Sequence, residues 1–308
     1  MAEKDIMEKT LESHEDVFAD IVNVLLFSGK KIIRAEDLQE KAPRAVYKAD
    51  GKLRETERDV IKQWKKGNIC IACIGLENQT ASDPDMPLRV IGYDGAEYRA
   101  QLLKKPKVDR YPIITLVLYF GYDKHWEKTT ALRGCLKIPK ELYPYVNEHK
   151  INLFEIAYLT DEQLNMFESD FAIIADYFVQ MRKNGDYQPP VRKIRHIQET
   201  LSFLSILTGD NRFEEACSDK EGEVRTMCEV LDRIEKRGEI RGMEQGMQQG
   251  MELGILTERE RIIRLLYEEG NSVKQISSTL KRGRKKSCVF GSCIFLIKIR
   301  YVKFCCRL

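Results

Sequence analysis

The sequence predicts an α/β fold: one helix, three strands, a second helix and a fourth strand, followed by a helical C-terminal region. Three observations carry this. Apolar residues recur at helical spacing through residues 5–28. Two short apolar, β-branched runs stand at 69–76 and 111–120. Helical patterning takes over after residue 190. With 308 residues there is room for one or two domains and a good core.

The first helix shows Leu11, Phe18, Ile21, Val22, Leu25 and Leu26 at helical spacing, and Ser28 with Gly29 closes it. Asp16 and Asp20 lie four apart on one face, with Asn23 near them; solvated carboxylates are the plainer account of both. Residues 44–48 form a short strand before an Asp50-Gly51 turn. The stretch 58–79 then reads as two strands joined by turn residues Lys66, Gly67 and Asn68. Asp59 sits on the first strand and Glu77 at the end of the second, with Gln79 projecting on the side of Glu77. A carboxylate leaving an apolar strand must reach solvent or hold a partner, because burying an unpaired charge is costly. If the strands pair, two carboxylates and an amide converge at one sheet end, a setting for a hard divalent cation. Solvation at the sheet rim is the plain alternative, since the spacing alone is a poor motif.

Residues 80–87 read as a loop, and 88–103 as a helix with Leu88, Ile91, Tyr98, Leu102 and Leu103 near one face, although Gly92 and Gly95 weaken it. Arg89, Tyr93 and Arg99 are the polar groups it offers to the acids or to phosphate, unless they simply face solvent. The run 111–120 is the strongest strand and belongs inside the sheet; 151–158 is another. Thr160 with Gln163 fits a capping box for a helix running to about Lys183. Residues 185–190 read as a linker, and 192–207 and 224–237 as helices. Gly238, Gly242, Gly246, Gly250 and Gly254 then recur every fourth residue, with Met243, Met247 and Met251 between them. That is either a face along which another helix packs or a helix that melts easily, and its Glu and Gln residues exclude a membrane span. Residues 258–269 and 272–280, around Gly270 and Asn271, have a helix-turn-helix outline, for which a small packing module is the simpler account.

The formal net charge is +3, unevenly placed. The last 28 residues hold nine of the 51 Lys and Arg and no acid, leaving 42 basic against 48 acidic residues, a net of −6, in the first 280. The body is therefore not a globally basic nucleic-acid binder, and any phosphate contact needs a local patch. Nine cysteines, an odd and irregular set behind a polar N-terminus, suit reduced thiols in a cytoplasmic protein. Cys70 and Cys73 have C-x-x-C spacing inside an apolar strand without a second pair, which points to core packing rather than zinc. In the tail, residues 281–308, the basic run could bind phosphate or an anionic surface; the abrupt change of composition also suits a segment with no evolved role. Its apolar run, 288–297, is too short to span a membrane.

The segments DVFADIVNVLLF (16–27), ERDVIKQW (57–64), IACIGLENQT (71–80), DMPLRVIGYDGAEYRAQL (85–102) and YPIITLVLYFG (111–121) resemble the recombination-promoting nuclease/transposase family of the PD-(D/E)xK nuclease superfamily. The glycine-repeat helix is similar as well, so the resemblance covers roughly residues 5–280. It implies a restriction-endonuclease-like αβββαβ core in 1–190, a helical extension in 191–237, the repeat and helix-turn-helix-like segment in 238–280, and an atypical tail in 281–308. By that motif Asp59 and Glu77 are the metal-binding acids for Mg²⁺ or Mn²⁺, and Gln79 stands in the place of the motif's lysine. Asp16 or Asp20, of which Asp20 is preferred, is the auxiliary acid, and Arg89 and Tyr93 face the substrate phosphate. The implied activity is metal-dependent DNA endonuclease, with Asn78 lending its carbonyl to the ion and DNA and a second copy of the chain as partners. Arg58 replaces the motif's proline, and Gln79 cannot supply a cation, though it can orient a water by hydrogen bonds. Two rivals stand beside this: a nucleic-acid-binding or regulatory protein with an impaired site, and an assembly protein working through the glycine repeat.

Overall fold

Helix α1 (Glu15–Phe27) buries Val17, Phe18, Ile21 and Val22 against a mixed β-sheet. Ser28 (φ 53°) and Gly29 (φ 79°) end it in the left-handed region, and the Gly29 N–H donates to the Asn23 carbonyl at 3.0 Å. The computed structural model describes residues 11–41, 44–49, 52–103, 109–217 and 225–282, with backbone alone for 44–49, 52–57 and 279–282. The start of the first helix at residue 5 and most of the basic tail lie outside the described residues. Asn23 serves the chain that follows α1: its Oδ1 accepts the Ile32 and Ile33 N–H groups and its Nδ2 donates to the Ile33 carbonyl.

The sheet has the order β1 (Leu38–Glu40), β4 (Val60–Lys66), β5 (Ile69–Gln79), β6 (Ile113–Tyr119) and β7 (Asn152–Glu155). The β1–β4 and β4–β5 pairs are antiparallel; β5–β6 and β6–β7 are parallel. The expected strand at 44–48 forms, as β2 (Arg44–Ala49), but it pairs only with β3 (Lys52–Glu57) in a separate hairpin. The third sheet strand ahead of the second helix is β1, too short to be seen as an apolar run. Gly67, at φ 60°, turns β4 into β5. The expected β6 is an interior strand, as its continuous apolar run requires.

Alternation along β5 divides the faces. Ala72, Ile74 and Leu76 join the main core beneath α1, while Cys73, Gly75 and Glu77 look the other way, towards helix α2 (Met86–Leu103). Cys73 packs with Ile61, Tyr111 and Ile113, the core role expected of the C-x-x-C pair. Helix α2 reverses its expected orientation. Leu88, Ile91, Tyr98, Leu102 and Leu103 are exposed, whereas Tyr93, Asp94, Glu97 and Gln101 are buried. Partners account for this: Gln101 bonds the Tyr111 backbone at both ends of its amide, Glu97 bonds Lys41, and Asp94 bonds Arg58.

The capping box at Thr160 forms, but the helix it opens, α3 (Asp161–Asn165), stops after five residues. The chain breaks before α4 (Phe171–Asn184) because side chains elsewhere claim its amides: Asp20 Oδ2 accepts the Glu168 and Ser169 N–H groups at 2.9 and 2.7 Å. Residues 185–190 are anchored, with Tyr187 buried against Tyr177. Beyond them α5 (Ile197–Thr208) and α6 (Arg212–Cys217) add Leu201, Phe203, Leu204 and Phe213 to the same core, and the first compact unit runs to Glu235. Three expected pieces of the C-terminal region are one helix, α7 (Met227–Glu268), and Gly270 at φ 87° leads into α8 (Val273–Arg282). The second unit begins at Lys236.

Two measurable consequences follow from these elements. Lys62 is wholly buried, and its Nζ donates to Glu15 Oε1 at 2.9 Å. That hydrogen bond holds the Glu15 carboxyl below its ordinary value of 4.5. A carboxyl depressed on folding adds stability above its unfolded pKa and loses it as pH falls through the folded one. Glu15→Gln therefore lowers stability in urea at neutral pH, and the difference from wild type fades as pH drops below 4.5. On α7, a Cβ at Gly242, Gly246 or Gly250 would meet nothing within 4 Å. Alanine at each raises the thermal stability of the helix signal in circular dichroism, by up to about 1 kcal/mol per site.

Candidate active site

The β4–β5 register sets Val60 opposite Leu76. One residue further, the same register brings Asp59 beside Glu77, at the end of β5 that α2 covers. Asp59 Oδ2 accepts the Asn78 N–H at 2.6 Å. Both carboxylates act on the phenol of Tyr93: burial first, then the charge of Glu77, with a smaller push from Asp59, hold it above its usual pKa. Asp59 and Glu77 are thus neighbours by register, and each charge reaches Tyr93. Gln79 ends β5 half-buried, opposite Tyr119 of β6.

Glu77 is 1% exposed. Its Oε1 accepts a short hydrogen bond from Arg89 Nη2, and Arg89 Nη1 donates to Asp83 Oδ2 at 2.9 Å. Burial alone would lower the Arg89 pKa, but Glu77, Tyr93 and Asp83 together hold it above its usual range. Arg89 reaches these partners because it stands on the first turn of α2, one helical turn before Tyr93, whose hydroxyl oxygen accepts from it at 3.4 Å. Its guanidinium is the half-exposed cation at the acids, at 39% side-chain exposure. An anion arriving from solvent can therefore meet it.

The acids of α1 go elsewhere. Asp20 binds the backbone at 168–169, and burial, only partly offset by those hydrogen bonds, raises its pKa. Asp16 lies 3.2 Å from His196 Nε2 and 3.8 Å from Arg195. The acid near this strand end is instead Glu12, in helical residues 11–13: fully buried, it accepts from Asn78 Nδ2 at 2.7 Å on the opposite face of the sheet. Its place four residues before Asp16 was the available signal. Arg58 and Asp94 were also missed. Arg58 Nη2 donates to Asp94 Oδ1 at 2.6 Å, and the same oxygen accepts the Thr115 hydroxyl at 2.7 Å.

Among the described residues no three His, Cys, Asp or Glu side chains gather closely enough to hold a metal ion. The donors at Asp59 and Glu77 are two carboxylates, and Mg²⁺ commonly takes one or two carboxylates and completes its shell with water and phosphate. By donor chemistry these residues fit such an ion. Among the described residues no helix is long and apolar enough to cross a membrane. Compared with protein-family models, curated proteins and solved structures, the chain matches none.

Proposed function

We propose that the chain is a metal-dependent DNA endonuclease with a restriction-endonuclease-like core. The observation that carries this reading is the adjacency of Asp59 and Glu77 at one sheet end beside Arg89, a half-exposed cation. The order α1, β1, β4, β5, α2, β6 supports it, as does the resemblance of five segments to recombination-promoting nucleases. DNA as the substrate comes from that resemblance.

Asp59 and Glu77 would hold Mg²⁺, which when bound lowers the pKa of water and polarises a phosphoryl oxygen. Arg89 exchanges its bond to Glu77 for the substrate phosphate and steadies the charge that develops there. Tyr93, its phenol held protonated by burial and by Glu77, donates a hydrogen bond to the same phosphate. Gln79 orients the attacking water without taking its proton. Calorimetric titration of the full chain with Mg²⁺ tests the first step. One equivalent binds to wild type and none to Asp59→Asn; equal heats from both proteins would contradict the proposal.

A second reading is favoured by one observation. The five glycines of α7 each weaken a helix, and among the described residues no contact requires their small size. Beside them Met243, Met247 and Met251 are exposed. A chain that works by pairing this helix with a second copy would give both features a use. In that case deletion of 238–256 abolishes function while Glu77→Ala leaves it intact.

A further inference from the structure

Behind the two acids lies a buried polar group that the proposed chemistry does not use. Arg58, 2% exposed, immediately precedes Asp59, and both stand ahead of β4, outside its ladder. The Arg58 side chain runs back along β5 and rests on Gly75, where a Cβ would lie 3.0 Å from its Cδ and 3.2 Å from its Nη1. Tyr93 presents its ring to the guanidinium carbon at 5.5 Å. Asp94 fixes the far end, binding Arg58 and Thr115 through one oxygen while its other oxygen lies 3.8 Å from His149 Nε2. The guanidinium is thus gripped by a glycine surface, a ring and a carboxylate, with 36 residues separating Arg58 from Asp94.

We infer that Asp94 is a positioning residue for Asp59: by pinning Arg58 on Gly75 it sets the direction in which the next residue's carboxylate leaves the backbone. One planar peptide unit joins Arg58 to Asp59, so anchoring the Arg58 side chain narrows the backbone freedom from which the Asp59 carboxylate departs. The product of that orientation is the 2.6 Å hydrogen bond from the Asn78 N–H to Asp59 Oδ2. Gly75 follows from the same device, since a Cβ there would press on the Arg58 side chain and shift it by a few tenths of an ångström. The inference rests on the nuclease reading only for the use made of Asp59; the positioning belongs to the metal-free chain.

The test is the Asn78 amide in ¹⁵N-labelled, metal-free full-length protein. An N–H donating to a carboxylate resonates downfield and exchanges slowly. Asp94→Asn keeps the side-chain shape and removes the charge; Gly75→Ala keeps every charge and displaces Arg58. In both, the Asn78 proton moves upfield and exchanges about tenfold faster or more, as it does in Asp59→Asn, on the scale of a charge-assisted hydrogen bond. Amides of Ile74, Leu76 and Leu118 stay protected. An Asn78 amide unchanged in both variants while Asp59→Asn moves it would overturn the inference and leave Asp94 only a neutralising role. If one variant does not fold, the other decides, because they share only Arg58. Failure of the wild type to bind Mg²⁺ would remove the nuclease reading and leave the amide result standing.

Discussion

Glu77→Gln lowers metal-dependent nicking of plasmid DNA by about a thousandfold, on the scale of losing a preorganised electrostatic contact to the transition state, with the fold retained. The substitution preserves shape in a site with 1% exposure. It removes one of the two anionic donors proposed for the metal and the charge that pairs with Arg89. Arg89 keeps Asp83 as a partner, so no guanidinium is stranded and the circular dichroism spectrum is unchanged. The loss appears in kcat. Arg89→Lys also lowers kcat, because a single ammonium loses the planar fork that holds Asp83 and the phosphate together and steadies the charge developing there. A Glu77→Gln protein that cleaves at the wild-type rate would remove Glu77 from the site.

Asp94→Ala is expected to destabilise the first unit by about 3–5 kcal/mol, the range for removing one partner of a buried ion pair. Burial leads the shifts on both sides. It raises the Asp94 carboxyl against its bonds to Thr115 and Arg58, and lowers the Arg58 guanidinium against the Asp94 charge. Burial thus penalises both charges and each group offsets part of the other's cost, so removing Asp94 leaves a cation in a space where alanine offers nothing. The midpoint of thermal unfolding falls by on the order of 10 °C for a domain of this size. A shift of a degree or less would mean that water or Glu77 compensates Arg58 fully.

The β4–β5 hairpin was legible because turn chemistry at Gly67 and an apolar run at 69–76 agree, and pairing then brings Asp59 to Glu77 by register alone. Helix α1 and its closure at Ser28 were legible for the same reason: local signals coincide with the tertiary outcome. Helix α2 misled. Its apolar periodicity at Leu88, Ile91, Tyr98 and Leu102 marks the outward face, because its inward face, after Met86 and Val90, turns to polar residues with partners on other elements. Hydrophobic periodicity cannot see a buried Asp94 whose partner is Arg58, nor a Glu97 whose partner is Lys41. The break at 166–170 was hidden similarly, since it depends on Asp20, about 150 residues earlier. Asp20 thereby acquires a local structural task, and Glu12, ahead of α1, is the acid that reaches Asn78. The glycine repeat was read as a separate segment, yet α7 continues through it, because five glycines spread over a 42-residue helix leave enough good helix formers between them.

Incubation of supercoiled plasmid with the purified full-length chain, in Mg²⁺ and in EDTA, tests the nuclease reading most directly. Open-circular product that forms with Mg²⁺, is absent in EDTA and disappears in both Asp59→Asn and Glu77→Gln is the result expected. A folded wild-type chain that leaves the plasmid intact with Mg²⁺, or nicks it equally in EDTA, would contradict it.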